Sequence, residues 1–233
     1  MSTRFSRLPA SSGARGPVPP FRPQAVVLDL DGLLVDSEGA WGRAERRVVE
    51  DCGKPWDPAI RALMLGRGPL DAAQVLADFL GLRDRREMER RLLQAAVAEF
   101  RRGIIPLPGA VALLEALHGR VPLGVATNSR RVLADLSLTS AGLAPFVQAV
   151  VCAEDVIRPK PAPDPYLRAC ELLGADPARS VCLEDSPVGA AAAKTGGLWV
   201  IGCPSFPGTV MDAADAVIAS LEDLDPDAFL SAS

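Results

Sequence analysis

A doubly wound parallel α/β sheet carrying an inserted helical cap is the fold class this chain predicts, and three observations predict it. From residue 25 onward, short continuous apolar runs alternate with helical stretches, the pattern of strands covered on both faces. One section, from about Ser37 to Arg102, breaks that alternation with helical periodicity and no convincing strand. The first apolar run also passes straight into acids, in AVVLDLDGLLVDSE at 25–38.

Residues 1–24 hold Pro9, Pro17, Pro19, Pro20 and Pro23 with Ser, Gly and Arg and no apolar stretch, so a disordered tail is expected. The lack of acids faintly resembles a transit peptide, but the prolines oppose the amphipathic helix one needs. The first strand is expected over Ala25 to Leu30. In the insertion, Trp41, Val48 and Val49, then Ile60, Leu63 and Met64, then Leu70, Val75, Leu76, Phe79 and Leu80, then Leu92, Leu93, Val97 and Phe100 recur at helical spacing. Gly53, Pro55, Pro58, Gly66, Gly68, Pro69 and Gly81 divide them into about four helices. Further strands are expected at Leu123 to Thr127, Ala149 to Cys152, Ser180 to Glu184, Leu198 to Ile201 and Ala216 to Ile218. Helices are expected at 108–119, 129–141, 164–174 and 186–195, with Ser129 and Ser186 as start signals and Pro165 in a first turn. The domains follow: a tail over 1–24, a Rossmann-like α/β core over 25–36 and 105–233, and a helical cap over 37–104.

Composition narrows the function classes. The 233 residues, 48% hydrophobic and 23% charged, can bury a full core. A net charge of −4 gives no general attraction to nucleic acid or to an anionic membrane, and no run of 18 apolar residues could span a bilayer. Cys52, Cys152, Cys170, Cys182 and Cys203 are odd in number and scattered, which argues against disulfides or a zinc site and for reduced, buried thiols in a cytoplasm.

The acids in the first run need an explanation, because neighbouring carboxylates repel unless a cation or a shared proton relieves them. Ligands of open α/β sheets lie beyond the carboxyl ends of strands. Those ends deliver Asp29 and Asp31, then Thr127-Asn128-Ser129, then Glu184-Asp185, and a proline-stiffened connection adds Lys160. Several acids can hold Mg²⁺ beside a substrate phosphate, while a hydroxyl, a helix N-terminus and one ammonium can hold the phosphate itself. With that charge neutralised, Asp29 can act as nucleophile and Asp31 as proton carrier. Alternative readings exist for each: a solvated turn for the D-x-D pair, an N-cap for Thr127-Asn128-Ser129, a helix-start role for Glu184-Asp185. Lys160 is one of only three lysines among 25 basic residues, which favours a chosen point charge there.

D-L-D-G-L-L-V-D-S-E at 29–38, T-N-S at 127–129, K-P at 160–161 and E-D-S at 184–186, in that order, resemble the four motifs of the haloacid dehalogenase superfamily. The likeness is greatest to the helical-cap branch that includes phosphoglycolate phosphatase and β-phosphoglucomutase. The resemblance implies Asp29 as nucleophile and Mg²⁺ ligand, and Asp31 as general acid/base with its main-chain carbonyl on the metal. It implies Thr127 and the Asn128 amide on the phosphoryl group, and Lys160 neutralising it and orienting Asp29. Asp185 would be a direct ligand and Glu184 either a ligand or the holder of a bound water. Gly32 would permit the tight turn after the strand.

The expected activity is therefore Mg²⁺-dependent hydrolysis of a small phosphate monoester, a sugar phosphate or a phosphoglycolate-like molecule. Asp31 argues against dehalogenation, and Trp41 stands where β-phosphoglucomutase carries a cap histidine, which weighs against a mutase. A phosphate-binding protein without turnover is the third reading. Arg67, in the turn between cap helices, is the candidate for the substrate's distal part. Arg43, Arg47, Arg61 and Arg67 together fit either a second anionic group or plain solvation. His118 is expected to be structural, on a core helix. A monomer and a dimer are both compatible with the sequence.

Overall fold

The computed structural model describes residues 16–64 and 69–231, apart from the side chains of 69–71. Six parallel strands form the sheet: β1 (Ala25–Leu28), β4 (Leu123–Ala126), β5 (Ala149–Val151), β6 (Ser180–Glu184), β7 (Trp199–Gly202) and β8 (Ala216–Val217). Their order across the sheet is β5-β4-β1-β6-β7-β8, so β1 lies between β4 and β6. The strands bury both faces, since Val26 and Leu28 join one apolar cluster and Val27 the other. Each such side chain contributes about 1.5–3 kcal/mol through burial.

β1 ends two residues before the expected Leu30. The Asp29 N–H still bonds to Leu183 O (3.0 Å), but Leu30 O accepts from the N–H groups of Leu34 and Val35 and so belongs to a turn.

Four helices enter after the first strand: α1 (Glu38–Asp51), α2 (Pro58–Met64), α3 (Pro69–Leu80) and α4 (Arg85–Phe100). They realise the periodicity read from the insertion, and Val48, Val49, Leu76, Met88, Leu92 and Phe100 pack between them. Asp84 caps α4 by accepting from Glu87 N–H at 3.1 Å. Among the described residues of 37–102 there is no strand, as expected, and a short ribbon lies just outside those bounds. β2 (Val35–Asp36) and β3 (Ile105–Pro106) pair antiparallel where the chain leaves and rejoins the core. Two-residue strands carry no alternation that a sequence pattern could reveal.

The remaining helices lie against the sheet: α5 (Ala110–Leu117), α6 (Arg131–Ser140), α7 (Asp164–Leu173), α8 (Pro187–Thr195) and the unforeseen five-residue α9 (Pro226–Leu230). Two readings change here. α6 begins at Arg131 without a side-chain cap, so Ser129 is not its capping residue. His118 is the exposed C-cap of α5, edge-on to Phe146 at 5.6 Å, rather than a core-helix residue. Ser186, by contrast, caps α8 by accepting from Gly189 N–H.

Of the tail expected over 1–24, residues 1–15 lie outside the described residues. Residues 16–24 have no helix or strand, but Phe21 packs on the core under the Arg179 guanidinium, and Gln24 accepts from Asp176 N–H. All five cysteines are free, four of them buried and Cys52 half-buried. Among the described residues no helix is long and apolar enough to cross a membrane.

Candidate active site

Because β1, β4 and β6 are neighbours, their carboxyl ends bring Asp29, Thr127 and Glu184-Asp185 to one place. These residues line a cavity of about 520 Å³ together with Asp31, Asn128, Ser129 and Lys160. Trp41, Glu45, Arg61, Met64 and Ala72 of the inserted helices line the same cavity. The insertion therefore forms the second wall of the site, as its point of departure implied.

Lys160 is buried at the centre. Its ammonium donates to Asp29 Oδ1 (2.5 Å) and to Glu184 Oε1 (2.6 Å), and it lies 4.7 Å from the centre of the Tyr166 ring. Burial alone would lower the Lys160 pKa, but the two carboxylates outweigh it and keep the ammonium charged. Burial works against ionised Glu184 as well. The Lys160 charge, with hydrogen bonds from Lys160, Ser186 and Tyr166, prevails and holds Glu184 below the usual carboxylate range.

Asp29 behaves differently. Burial raises its pKa strongly, Lys160 opposes this, and Glu184, Asp185 and Asp31 add to the rise. Burial, then Glu184, pushes Asp185 up to about 7 against a hydrogen bond from Ser205. Asp29, Glu184 and Asp185 each offer a carboxylate oxygen, and these oxygens lie within 4.8 Å of one another. Hard oxygen donors at that spacing, short of positive charge, fit a divalent cation such as Mg²⁺.

Glu184, expected as a ligand or as the holder of a bound water, is also engaged by protein donors. Oε1 accepts from Lys160 and Tyr166, and Oε2 accepts from Ser186 N–H and Oγ, so all four acceptor positions are filled. Its evident task is to hold Lys160. Asp31 is clamped by hydroxyls, with Ser37 on Oδ1 (2.6 Å) and Ser129 on Oδ2 (2.6 Å), and Thr127 at 3.4 Å. The Asn128 carboxamide exchanges two 3.0 Å hydrogen bonds with the Lys160 backbone, so it ties the Lys160 connection to the end of β4.

Thus Asp29, Asp31, Thr127, Asn128, Lys160, Glu184 and Asp185 share one cavity, while Arg67 lies outside the described residues. Sequence reasoning missed the roles of Ser37, Ser129, Tyr166 and Ser205. Serines abound in turns and a tyrosine on a helix reads as core, so the one available signal was that Ser129 belongs to the T-N-S motif.

Two glycines meet needs of the site. Gly32 has φ +85°, and a Cβ there would strike the Asp185 carboxylate, which bears out the expected turn. A Cβ at Gly189 in α8 would overlap the Glu184 carboxylate. Gly189→Ala is expected to lower stability by a net of about 1–2 kcal/mol in urea unfolding, since overpacking outweighs the improved helix propensity. It should also lower turnover by displacing Lys160. Unchanged unfolding and turnover would mean that Glu184 moves aside freely.

The haloacid dehalogenase-like hydrolase family model matches residues 23–197, which include every motif of the site. The chain belongs to this family. It is 34% identical to hexitol phosphatase A of Escherichia coli, over 88% of this chain and 94% of that protein. It is 33% identical to validoxylamine A 7′-phosphate phosphatase of Streptomyces hygroscopicus subsp. limoneus, over 77% and 84% respectively. The structure of β-phosphoglucomutase from Clostridium difficile superposes with a TM-score of 0.73, covering 87% of this chain and 93% of the other, at 19% identity that speaks for the fold alone. The sequence resemblance to haloacid dehalogenase proteins with a helical cap is thereby borne out.

Proposed function

We propose that this haloacid dehalogenase-like hydrolase is a Mg²⁺-dependent phosphatase of small phosphate monoesters, working through an aspartyl-phosphate on Asp29. The observation that carries the reading is the convergence of Asp29, Asp31, Thr127, Lys160 and Asp185 on one cavity that the cap also lines. The similarity to hexitol phosphatase A and to validoxylamine A 7′-phosphate phosphatase supports it.

Asp29 and Asp185 would hold the cation, and the Asp31 main-chain carbonyl could join them. When bound, the cation supplies positive charge to the phosphoryl oxygens and relieves the clustered acids. The Asp29 carboxylate attacks phosphorus in line as the ester P–O bond breaks, and the Asp31 carboxyl gives its proton to the departing alkoxide. Asp31, now ionised, takes a proton from water as that water attacks phosphorus. The bond from phosphorus to Asp29 breaks, releasing inorganic phosphate and restoring both acids. Lys160 orients Asp29 and faces the transferred group, while Thr127 Oγ and the backbone N–H of Asn128 serve as phosphoryl donors. Ser37 and Ser129 fix the rotamer of Asp31. Free thiols at all five cysteines fit a cytoplasmic location.

A panel of phosphate monoesters assayed with Mg²⁺ and with EDTA tests the reading. Phosphate release that needs Mg²⁺ is expected. Isomerisation of a sugar phosphate outpacing hydrolysis would move the assignment to a mutase, and no turnover by folded protein would make it a phosphate binder.

The cation should also be visible in stability. Without it, the folded pKa of Asp185 lies above its ordinary 3.8. The stability from that group is therefore present below about pH 4 and lost as the pH rises towards 7. A dication offsets that loss, so Mg²⁺ should raise Tm more at pH 8 than at pH 5. An equal shift at both values would contradict the assignment of Asp185.

A further inference from the structure

The cap wall of the cavity carries its own charge pattern. Among the described cap residues that line it, the charged ones are Glu38, Glu45 and Arg61. Arg61 donates from Nη1 to Glu45 Oε2 (2.5 Å) and from Nη2 to the Glu38 carboxylate (2.6 Å) and main-chain oxygen (2.8 Å). Glu45 is only 3% exposed, and Arg61 is its one hydrogen-bonding partner among the described residues. Among the described residues of this wall two acids thus face one guanidinium, a formal charge of −1.

Arg43 and Arg47 do not change that balance. Arg43 is committed to Glu99 (2.6 Å) and Arg47 lies 3.8 Å from Asp51. Neither lines the cavity. Of the arginines that could have met a second anionic group, the ones described are neutralised by the cap's own acids.

We infer that the Glu38–Arg61–Glu45 cluster makes the distal subsite selective for uncharged, hydroxyl-bearing alcohols and disfavours substrates with a second anionic group. This deepens the phosphatase reading and rests on it. Carboxylate oxygens accept hydrogen bonds from substrate hydroxyls. Among the described residues Arg61 gives three of its five N–H donors to Glu45 and Glu38, so the guanidinium can also donate to a hydroxyl oxygen. Trp41, set edge-on to Phe100 at 5.6 Å, offers an apolar face to a carbon skeleton. A carboxylate or second phosphate in the same place would meet net negative charge, with Arg61 already paired. Of the two substrate types expected from sequence, the polyol or sugar phosphate fits this wall and the phosphoglycolate-like molecule does not. A bisphosphate is disfavoured for the same reason.

The test compares kcat/KM for a hexitol phosphate with that for the aldonic-acid phosphate of equal length, which differs in bearing a distal carboxylate. Ethyl phosphate, an alkyl monoester with no distal polar group, reports the chemistry alone. The hexitol phosphate is expected to be preferred at least tenfold by the native protein. In Glu45→Gln, with folding checked by circular dichroism, that preference should fall at least fivefold, chiefly through a lower KM for the acid. Equal use of both substrates, a preference for the acid, or a ratio that Glu45→Gln leaves unmoved would overturn the inference. In those cases turnover of ethyl phosphate keeps the phosphatase reading intact. Loss of turnover on all three substrates would remove both.

Discussion

Asp29→Asn is expected to lower phosphate release by about 10⁴-fold or more while leaving the fold intact, because it removes the nucleophile and keeps the shape. The two effects separate for an electrostatic reason. Burial drives the Asp29 pKa up against the pull of Lys160, and repulsion from Glu184, Asp185 and Asp31 adds to the rise. A neutral amide removes that repulsion, and its oxygen can still accept the Lys160 hydrogen bond made now by Oδ1. Tm in the absence of Mg²⁺ should therefore be unchanged or higher in the variant. The native enzyme, quenched during turnover with hydroxylamine, should carry the label on the peptide containing Asp29. Residual activity above about 1% in Asp29→Asn, or label on another residue, would move the nucleophile elsewhere.

Lys160→Met should affect both activity and stability. The side chain is 5% exposed and neutralises two carboxylates that are themselves buried. Breaking a buried pair by removing one partner leaves an uncompensated charge and costs about 3–5 kcal/mol. Here two acids lose their counterion at once, so the upper part of that range is expected in urea unfolding at neutral pH. Turnover should fall by about 10³-fold, since the phosphoryl group loses its ammonium and Asp29 its orientation. Lys160→Arg should not restore activity, because a planar fork cannot replace a point charge between two acids and the Tyr166 ring. A variant with native stability would mean that the acids simply share protons and that the ion pairs are dispensable.

Strand positions were legible because covered parallel strands read as unbroken apolar runs, as in Ala25–Leu28 and Ala149–Val151. The ribbon of Val35–Asp36 with Ile105–Pro106 was not, since each half gains meaning only from a partner across the whole insertion. Ser129 shows the same limit. Its sequence neighbourhood suits a helix cap, yet its hydroxyl donates to Oδ2 of Asp31, a residue 98 positions away. Tyr166 lies on α7, 18 residues before Glu184, and its hydroxyl reaches that carboxylate because α7 packs on β1, β4 and β5 beside the end of β6.

By itself the sequence determined the parallel sheet, the helical insertion and the set of strand-end residues, because apolar periodicity and motif order are properties of the chain read in line. Tertiary structure alone decided what those residues do to one another. It saturates Glu184 with four donors, assigns Asp31 to three hydroxyls, and pairs Arg61 with Glu45 on the cap wall. Hydrogen-bond partners and local charge balance depend on distances of a few ångströms between residues remote in sequence, and no local pattern encodes them.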